Sequence, residues 1–211
     1  MTEEICDFYR SCAPQATAEG ITSLEQQAIE DDKARLHTAQ VEQDHEEAIR
    51  ALQARHSLLN AMASKAAKEH RQAESDLLDE FITGDTQSLY KTLPARREAL
   101  RWKYNLAVAA VSRVCEVLMP RAALERLRAQ VDHLRAEAVL AESIARVFVA
   151  RKLLLMKPLA EAEGSSLVTS GGLSAQIVTD WINARAKYAT LAGTLRDMEV
   201  RHAEHAAKFL Q

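Results

Sequence analysis

Residues Ile49–Leu77 have the sequence IRALQARHSLLNAMASKAAKEHRQAESDL, in which neither proline nor glycine interrupts a helical pattern. Spacings of three and four residues alternate along a mostly apolar stripe: Ile49, Leu52, His56, Leu59, Ala63, Ala66, His70, Ala73 and Leu77. An average spacing of about 3.5 residues is typical of helices that pack as coiled coils. The two polar members, His56 and His70, are then expected to fix the alignment of the packed helices. The pattern predicts one long helix of the coiled-coil type.

This first helix is predicted to extend over residues 21–84. Ser23 followed by Gln26 is a capping-box pattern, which indicates a helix start. Gly84 is suited to the left-handed conformation that commonly ends a helix. The preceding residues 1–20 are predicted to be a lead-in with one short helix over Glu3–Cys12, ended by Pro14 and Gly20.

Two further helices are predicted over 87–163 and 173–210. The second has the same alternating stripe at positions 100–118, and the stripe restarts at 124 one residue out of phase. Pro120 lies at this slip, where its ring removes an amide donor and clashes with the preceding turn. We expect a kink in a continuous helix there. The alternative is a complete break, which would make residues 121–163 and the third helix a separate bundle.

Charge indicates how the first two helices pair. Residues 22–84 contain seven Lys/Arg and thirteen Asp/Glu (net −6), whereas 86–163 contain fourteen and eight (net +6). Opposite charges attract, and a short turn at Gly84–Asp85 makes the neighbours antiparallel. The predicted fold is all-α: an elongated antiparallel hairpin whose second helix is kinked near Pro120. A shorter third helix completes a three-helix coiled-coil bundle at one end, and 21–211 form a single domain.

Composition sets the expected location. The N-terminus lacks the basic and then apolar pattern of a signal peptide, and no run of about 18 uncharged apolar residues occurs. The apolar segment 138–156 is interpreted as a buried core helix, with a membrane-inserting helix as the alternative. Three cysteines, Cys6, Cys12 and Cys115, are too few for a disulfide framework, and Cys115 is expected to be buried. These features predict a cytoplasmic protein.

An interface is predicted on the second helix. Residues 106–119, LAVAAVSRVCEVLM, are apolar over more than a narrow stripe, while the first helix offers mainly alanine opposite them. Surplus apolar surface needs a second partner. We therefore predict a homodimer, or contact with another protein partner, through Tyr104, Val108, Val111, Cys115 and Leu118.

A basic group near the predicted turn is a candidate anion-binding site. Tyr90, Trp102 and Tyr104 interleave with its five members, which are Lys91, Arg96, Arg97, Arg101 and Lys103. Such a group suits phosphates of a membrane surface. The alternative is simple pairing with Asp76, Asp79 and Glu80 across the hairpin. A net charge of −3 for the whole chain argues against nucleic acid as a partner.

Metal and catalytic chemistry have weaker signals. Glu42-x-x-His45 and Glu199-x-x-His202 match a spacing used by dimetal helical bundles, and His202 with His205 are two potential zinc ligands. The remaining carboxylate ligands are missing from the helix stripes, so no metal site is predicted. No phosphate loop, nucleophile elbow or catalytic dyad occurs, so neither an enzyme nor a cofactor is predicted.

The sequence therefore favours a non-catalytic coiled-coil scaffold or adaptor that self-associates and binds protein partners through helical surfaces. One alternative is a helical bundle that binds or inserts into membranes, either pore-forming or similar in shape to BAR-type membrane-curving dimers, although no sequence motif accompanies that likeness. The third alternative is a helical bundle that binds metal through carboxylates and histidines.

Overall fold

A computed structural model describes residues 3–83, 93–163 and 173–209, and these are almost entirely helical. The helices are α1 (Glu3–Cys12), α2 (Ala18–Thr83), α3 (Leu93–Arg113), α4 (Met119–Glu163) and α5 (Leu173–Phe209). A 3₁₀ turn, Ala13–Gln15, links α1 to α2, and a π-helical segment, Val114–Leu118, joins α3 to α4. The predicted all-α class is confirmed, with no strand in the described ranges. The predicted turn at Gly84–Asp85 lies outside them.

The chain divides into two compact units. The terminal unit consists of Met1–Asp44 and Leu124–Gln211, and the central unit of His45–Ala123. The central unit is thus inserted in sequence between the two halves of the terminal unit. The single domain proposed for 21–211 stays a prediction.

The start of α2 differs from the predicted capping box. Thr17 precedes the helix, and its Oγ1 accepts a hydrogen bond from the Gly20 amide at 3.0 Å. Its carbonyl accepts another from the Ile21 amide at 2.9 Å. Thr17 therefore caps the helix, because it satisfies amides that have no partner inside the first turn. The predicted start at Ser23 is wrong, and Gly20 lies within the helix instead of ending the lead-in.

Gly20 is required by a close approach of the backbone. A Cβ added there would lie 2.5 Å from the Gln15 carbonyl oxygen, whereas one added at Gly193 in α5 would meet nothing within 4 Å. We expect Gly20→Ala to lower the free energy of unfolding by about 1–3 kcal/mol. Gly193→Ala is the matched control and should raise it by about 1 kcal/mol, since alanine is the better helix former. Urea denaturation followed by circular dichroism measures both, and equal signs would contradict this account.

The core of the terminal unit is built around α1, α4 and α5. Its buried members are Ile5, Phe8, Tyr9 and Cys12 of α1, Ala145, Val149 and Leu153 of α4, and Val178 of α5. The Phe8 ring lies 4.8 Å from the Trp181 ring between centroids, and the Arg146 guanidinium lies over Phe8 at 5.5 Å. The short N-terminal helix α1 is therefore part of the core, whereas residues 1–20 were predicted only as a lead-in with one short helix.

A second apolar cluster joins α2 to the other side of α4. It contains Ile21 and Leu24 of α2 and Val147 and Ala150 of α4. The segment 138–156 thus packs on two sides, which agrees with its interpretation as a core helix. Polar contacts give the relative direction of α2 and α4. Arg151 contacts Glu25, and the Ser143 hydroxyl donates to the Asp31 carboxylate. Further along, Thr38 Oγ1 lies 3.3 Å from His133 Nδ1. Partner numbers rise on α2 as they fall on α4, so the two helices are antiparallel.

The central unit is an antiparallel pair formed by α2 and α3. Glu74 of α2 accepts a 3.2 Å hydrogen bond from Arg97 of α3. The stripe predicted in Ile49–Leu77 follows the less exposed face of α2: Ala66 and Ala73 are buried, and the flanking positions are mostly exposed. Leu100 and Val114 are the corresponding buried side chains of the α3 side. The predicted antiparallel pairing of the first two long helices is therefore observed in both units.

The chain stays helical through Pro120, but its hydrogen bonds change just before it. In the π segment the Met119 amide donates to the Val114 carbonyl, five residues back. A wider turn gives the Pro120 ring room where it would otherwise clash with the Glu116 carbonyl. No loop separates α3 from α4, so the predicted complete break is wrong. The boundary between the two units nevertheless lies just after Pro120, between Ala123 and Leu124, and the terminal unit that contains Leu124–Gln211 also includes Met1–Asp44. Proline and π segments are both recognised causes of helix bending.

Candidate interaction surfaces of the central unit

The predicted interface residues divide into two groups. Val111 and Leu118 are half-buried, close in sequence to the buried Val114. Tyr104, Val108 and Cys115 are exposed. The five residues therefore do not form one uniformly accessible stripe.

Sequence reasoning missed a second set of exposed apolar side chains. Leu58 of α2 is 62% exposed and Trp102 of α3 is 65% exposed, and Met62 and Leu106 are also exposed. Leu58 and Met62 are four residues apart, as are Trp102 and Leu106, so each pair lies on one face of its helix. The signal was present in that spacing, but the alternating stripe of Ile49–Leu77 excluded Leu58 and Met62.

Helical spacing divides the side chains beside the buried positions of α2 and α3 between two opposite flanks of the central unit. Successive residues are about 100° apart around a helix. On α3, Arg97, Arg101 and Tyr104 lie to one side of the buried positions, and Leu106 lies to the other. On α2, the same angular spacing places Arg71 and Glu74 to one side of the buried positions and Leu58 and Met62 to the other. Because Glu74 contacts Arg97, Leu58, Met62 and Leu106 share the other flank, which we call the apolar flank.

The predicted anion-binding residues have different surroundings. Arg97 is paired with Glu74, while Arg96, Arg101 and Lys103 are exposed. Lys91 and Tyr90 lie outside the described residues, as does the side chain of Glu80. Asp76, one of the acids proposed to neutralise this group, accepts a hydrogen bond from Gln72 at 2.8 Å. Arg96, Arg101 and Lys103 thus remain as candidate cations of this group.

A groove on the flank opposite the apolar flank contains Arg101. It has a volume of about 380 Å³ and is lined by Ala67, His70 and Arg71 of α2 and Arg101, Tyr104 and Asn105 of α3. Arg71 was not among the predicted residues. It lies in the first long helix and meets Arg101 only because the two helices are antiparallel.

The three cysteines differ in their surroundings. Cys12 is fully buried in the core of the terminal unit, and this burial raises the pKa of its thiol above the ordinary value. A hydrogen bond with the Ser11 side chain and the charge of Arg146 oppose that rise. Cys115 is exposed, so its predicted burial is wrong: the apolar stretch around it is wider than the face that packs. Cys6 is half-buried, so the most exposed thiol is that of Cys115 on the central unit.

The candidate metal-ligand pairs are Glu42 with His45, Glu199 with His202, and His202 with His205. Within residues 3–83, 93–163 and 173–209, no three His, Cys, Asp or Glu side chains converge in a way that would hold a metal ion. Glu199 is paired with Arg128 of α4 at 2.8 Å. The side chain of His205 lies outside the described residues. The predicted register residue His70 is half-buried and lines the groove.

Comparison with known proteins leaves these surfaces as the guide to function. No protein-family model matches the chain, and no curated protein and no solved structure is significantly similar to it. In the part of the chain that the structure describes, none of the helices offers an apolar stretch sufficient to span a lipid bilayer.

Proposed function

We propose that the protein is a non-catalytic helical scaffold that self-associates, as a dimer, through the central unit. One observation carries the proposal. Among the residues whose burial the structure describes, sixteen buried apolar residues belong to the terminal unit and four, Ala66, Ala73, Leu100 and Val114, to the central unit. The described part of the central unit nevertheless exposes eight large apolar side chains: Leu58, Met62, Leu78, Trp102, Tyr104, Leu106, Val108 and Val117.

The central unit thus has few buried apolar side chains and many exposed ones, and this has a physical consequence. Amphipathic helices gain most of their stability by burying an apolar face against another element. Two paired helices with two alanines among four buried residues bury little, and the exposed leucine and methionine side chains would each gain about 1.5–3 kcal/mol from burial. A second copy of the chain supplies the missing helices and turns two pairs into a four-helix arrangement. Coiled-coil packing and attachment of other protein partners extend the same proposal.

The apolar flank is the first part of this surface to test. The double substitution Met62→Glu and Leu106→Glu should convert a dimer to a monomer at tens of micromolar, with at least about a 100-fold rise in the dimer dissociation constant, because charges would be buried unpaired. Multi-angle light scattering measures the mass, and circular dichroism checks that helix content is kept. Both positions are exposed, so the monomer fold should tolerate the change.

Leu155→Glu is the matched control. Leu155 is an exposed leucine of the terminal unit, and its substitution should leave the mass unchanged. A wild-type monomer at tens of micromolar would end the proposal of self-association. A dimer that persists in the double variant would show that the apolar flank is not the interface, and loss of the dimer in the control as well would remove the support that the double variant gives.

Binding to an anionic membrane surface is a second candidate function. It is favoured by Trp102, which is largely exposed and stands between the exposed cations Arg101 and Lys103. Tryptophan is enriched at membrane interfaces, and basic residues are attracted to anionic lipid. Sedimentation with vesicles containing phosphatidylserine tests this candidate, since binding should weaken as salt rises. Absence of sedimentation at low salt would remove it.

A further inference from the structure

The groove between α2 and α3 has an excess of positive charge. Arg71 and Arg101 enter it from opposite helices, and neither makes an ion pair or hydrogen bond with another described residue. Two other arginines of the same unit are paired, Arg97 with Glu74 and Arg50 with Glu46.

The carboxylate that contacts the groove residue His70 is already engaged. Glu74 pairs with Arg97 at 3.2 Å and lies 3.7 Å from Nδ1 of His70. None of the six residues that line the groove is acidic. The positive charge of Arg71 and Arg101 is therefore left for a group from outside.

The other polar side chains complete a set of hydrogen-bond donors. Tyr104 contributes a phenolic O–H and Asn105 a carboxamide N–H₂, and each guanidinium presents several N–H donors in a planar fork. His70 is 21% exposed at its side chain, and its Nε2 atom is buried without a hydrogen-bond partner. Ala67 and the Tyr104 ring supply apolar wall. The groove thus combines donors with an unsatisfied polar atom beside them.

We propose that this groove binds a phosphate group, held between Arg71 and Arg101. A phosphate monoester carries about −1.5 to −2 charges at neutral pH and has several acceptor oxygens, which matches two cations, whereas a single carboxylate would leave one uncompensated. A volume of about 380 Å³ leaves room beside the phosphate for the organic part of a monoester. The phosphate belongs either to a small free molecule or to a lipid headgroup.

The test uses the full-length protein at low ionic strength. Isothermal titration with inorganic phosphate and with phenyl phosphate measures the free form, and sedimentation with vesicles containing phosphatidic acid measures the lipid form. Arg71→Gln and Arg101→Gln should each weaken binding about tenfold or more, because charge-assisted hydrogen bonds are lost. Arg55→Gln and Arg113→Gln remove exposed arginines of the same two helices outside the groove and are the matched controls.

Each outcome decides the proposal. Binding of the free phosphates that the groove variants lose and the controls keep supports a small-molecule ligand. The same pattern with vesicles alone supports a lipid headgroup. No binding of either form, or equal loss in controls and groove variants, overturns the proposal. Light scattering on the same samples reports self-association separately, so the two proposals fail independently.

Discussion

Replacing Phe8 with alanine should cost about 3–5 kcal/mol of unfolding free energy, a large part of the stability of an ordinary domain. The side chain is 5% exposed and fills the space between α4 and α5. Its loss leaves a cavity and removes the ring contacts with Trp181 and Arg146. Because α1 has only ten residues, it is too short to persist as a helix without this packing. Thermal and urea denaturation measure the loss, and amide hydrogen exchange should show α1 unprotected.

Phe148→Ala is the matched control for this prediction. Phe148 is 43% exposed on α4, so the same truncation there should cost about 1 kcal/mol or less. If the two substitutions had equal effects, α1 would not be part of the core. Retained amide protection of α1 in Phe8→Ala would contradict the account in the same way.

Pro120→Ala should raise the unfolding free energy by about 1–3 kcal/mol. The substitution restores an amide donor at a helical position and removes the ring that opposes regular α-helical bonding to the Glu116 carbonyl. We expect the π segment to revert to α-helix, so that the Met119 amide changes its acceptor from Val114 to Cys115. Urea denaturation gives the stability, and a structure of the variant gives the acceptor.

Pro14→Ala is the contrasting control. Pro14 lies in the first turn of a 3₁₀ segment, where no amide donor is needed. Its replacement should leave stability unchanged or lower it by up to about 1 kcal/mol, since proline restricts the unfolded chain. A loss of stability in Pro120→Ala would show that the π segment is favoured by packing and not imposed by the proline.

The pattern of spacing accounts for what could be predicted. The alternation of three- and four-residue spacings in Ile49–Leu77 predicted both the helix and its less exposed face. The opposite net charges of residues 22–84 and 86–163 predicted the antiparallel pairing. These are local or averaged properties of the chain, so a single sequence contains them. The widened turn at Val114–Leu118 was signalled by Pro120 and the slip in the stripe, although its hydrogen-bond pattern was not.

Features that depend on two distant segments were missed. Ile5, Phe8, Tyr9 and Cys12 have helical spacing and should have indicated an amphipathic α1, but their partners on α4 and α5 are more than 130 residues away. Arg71 was overlooked because an isolated arginine on a long helix has no local sign of function. The start of α2 was misplaced because Gly20 was interpreted as a helix breaker, whereas its freedom serves the close approach of Gln15.

The insertion of the central unit between the two halves of the terminal unit has a consequence for folding kinetics. The α2 and α4 segments of the terminal unit meet only across a chain of 79 residues, His45–Ala123. Closing a disordered loop of that length is costly in entropy, but a helical hairpin formed first from nearby residues shortens the effective loop. We therefore expect the central unit to fold before the terminal unit, with Phe8 and Val178 among the last side chains to become buried. Substitutions that destabilise the central unit, which has the fewer buried apolar side chains of the two units, would then slow refolding.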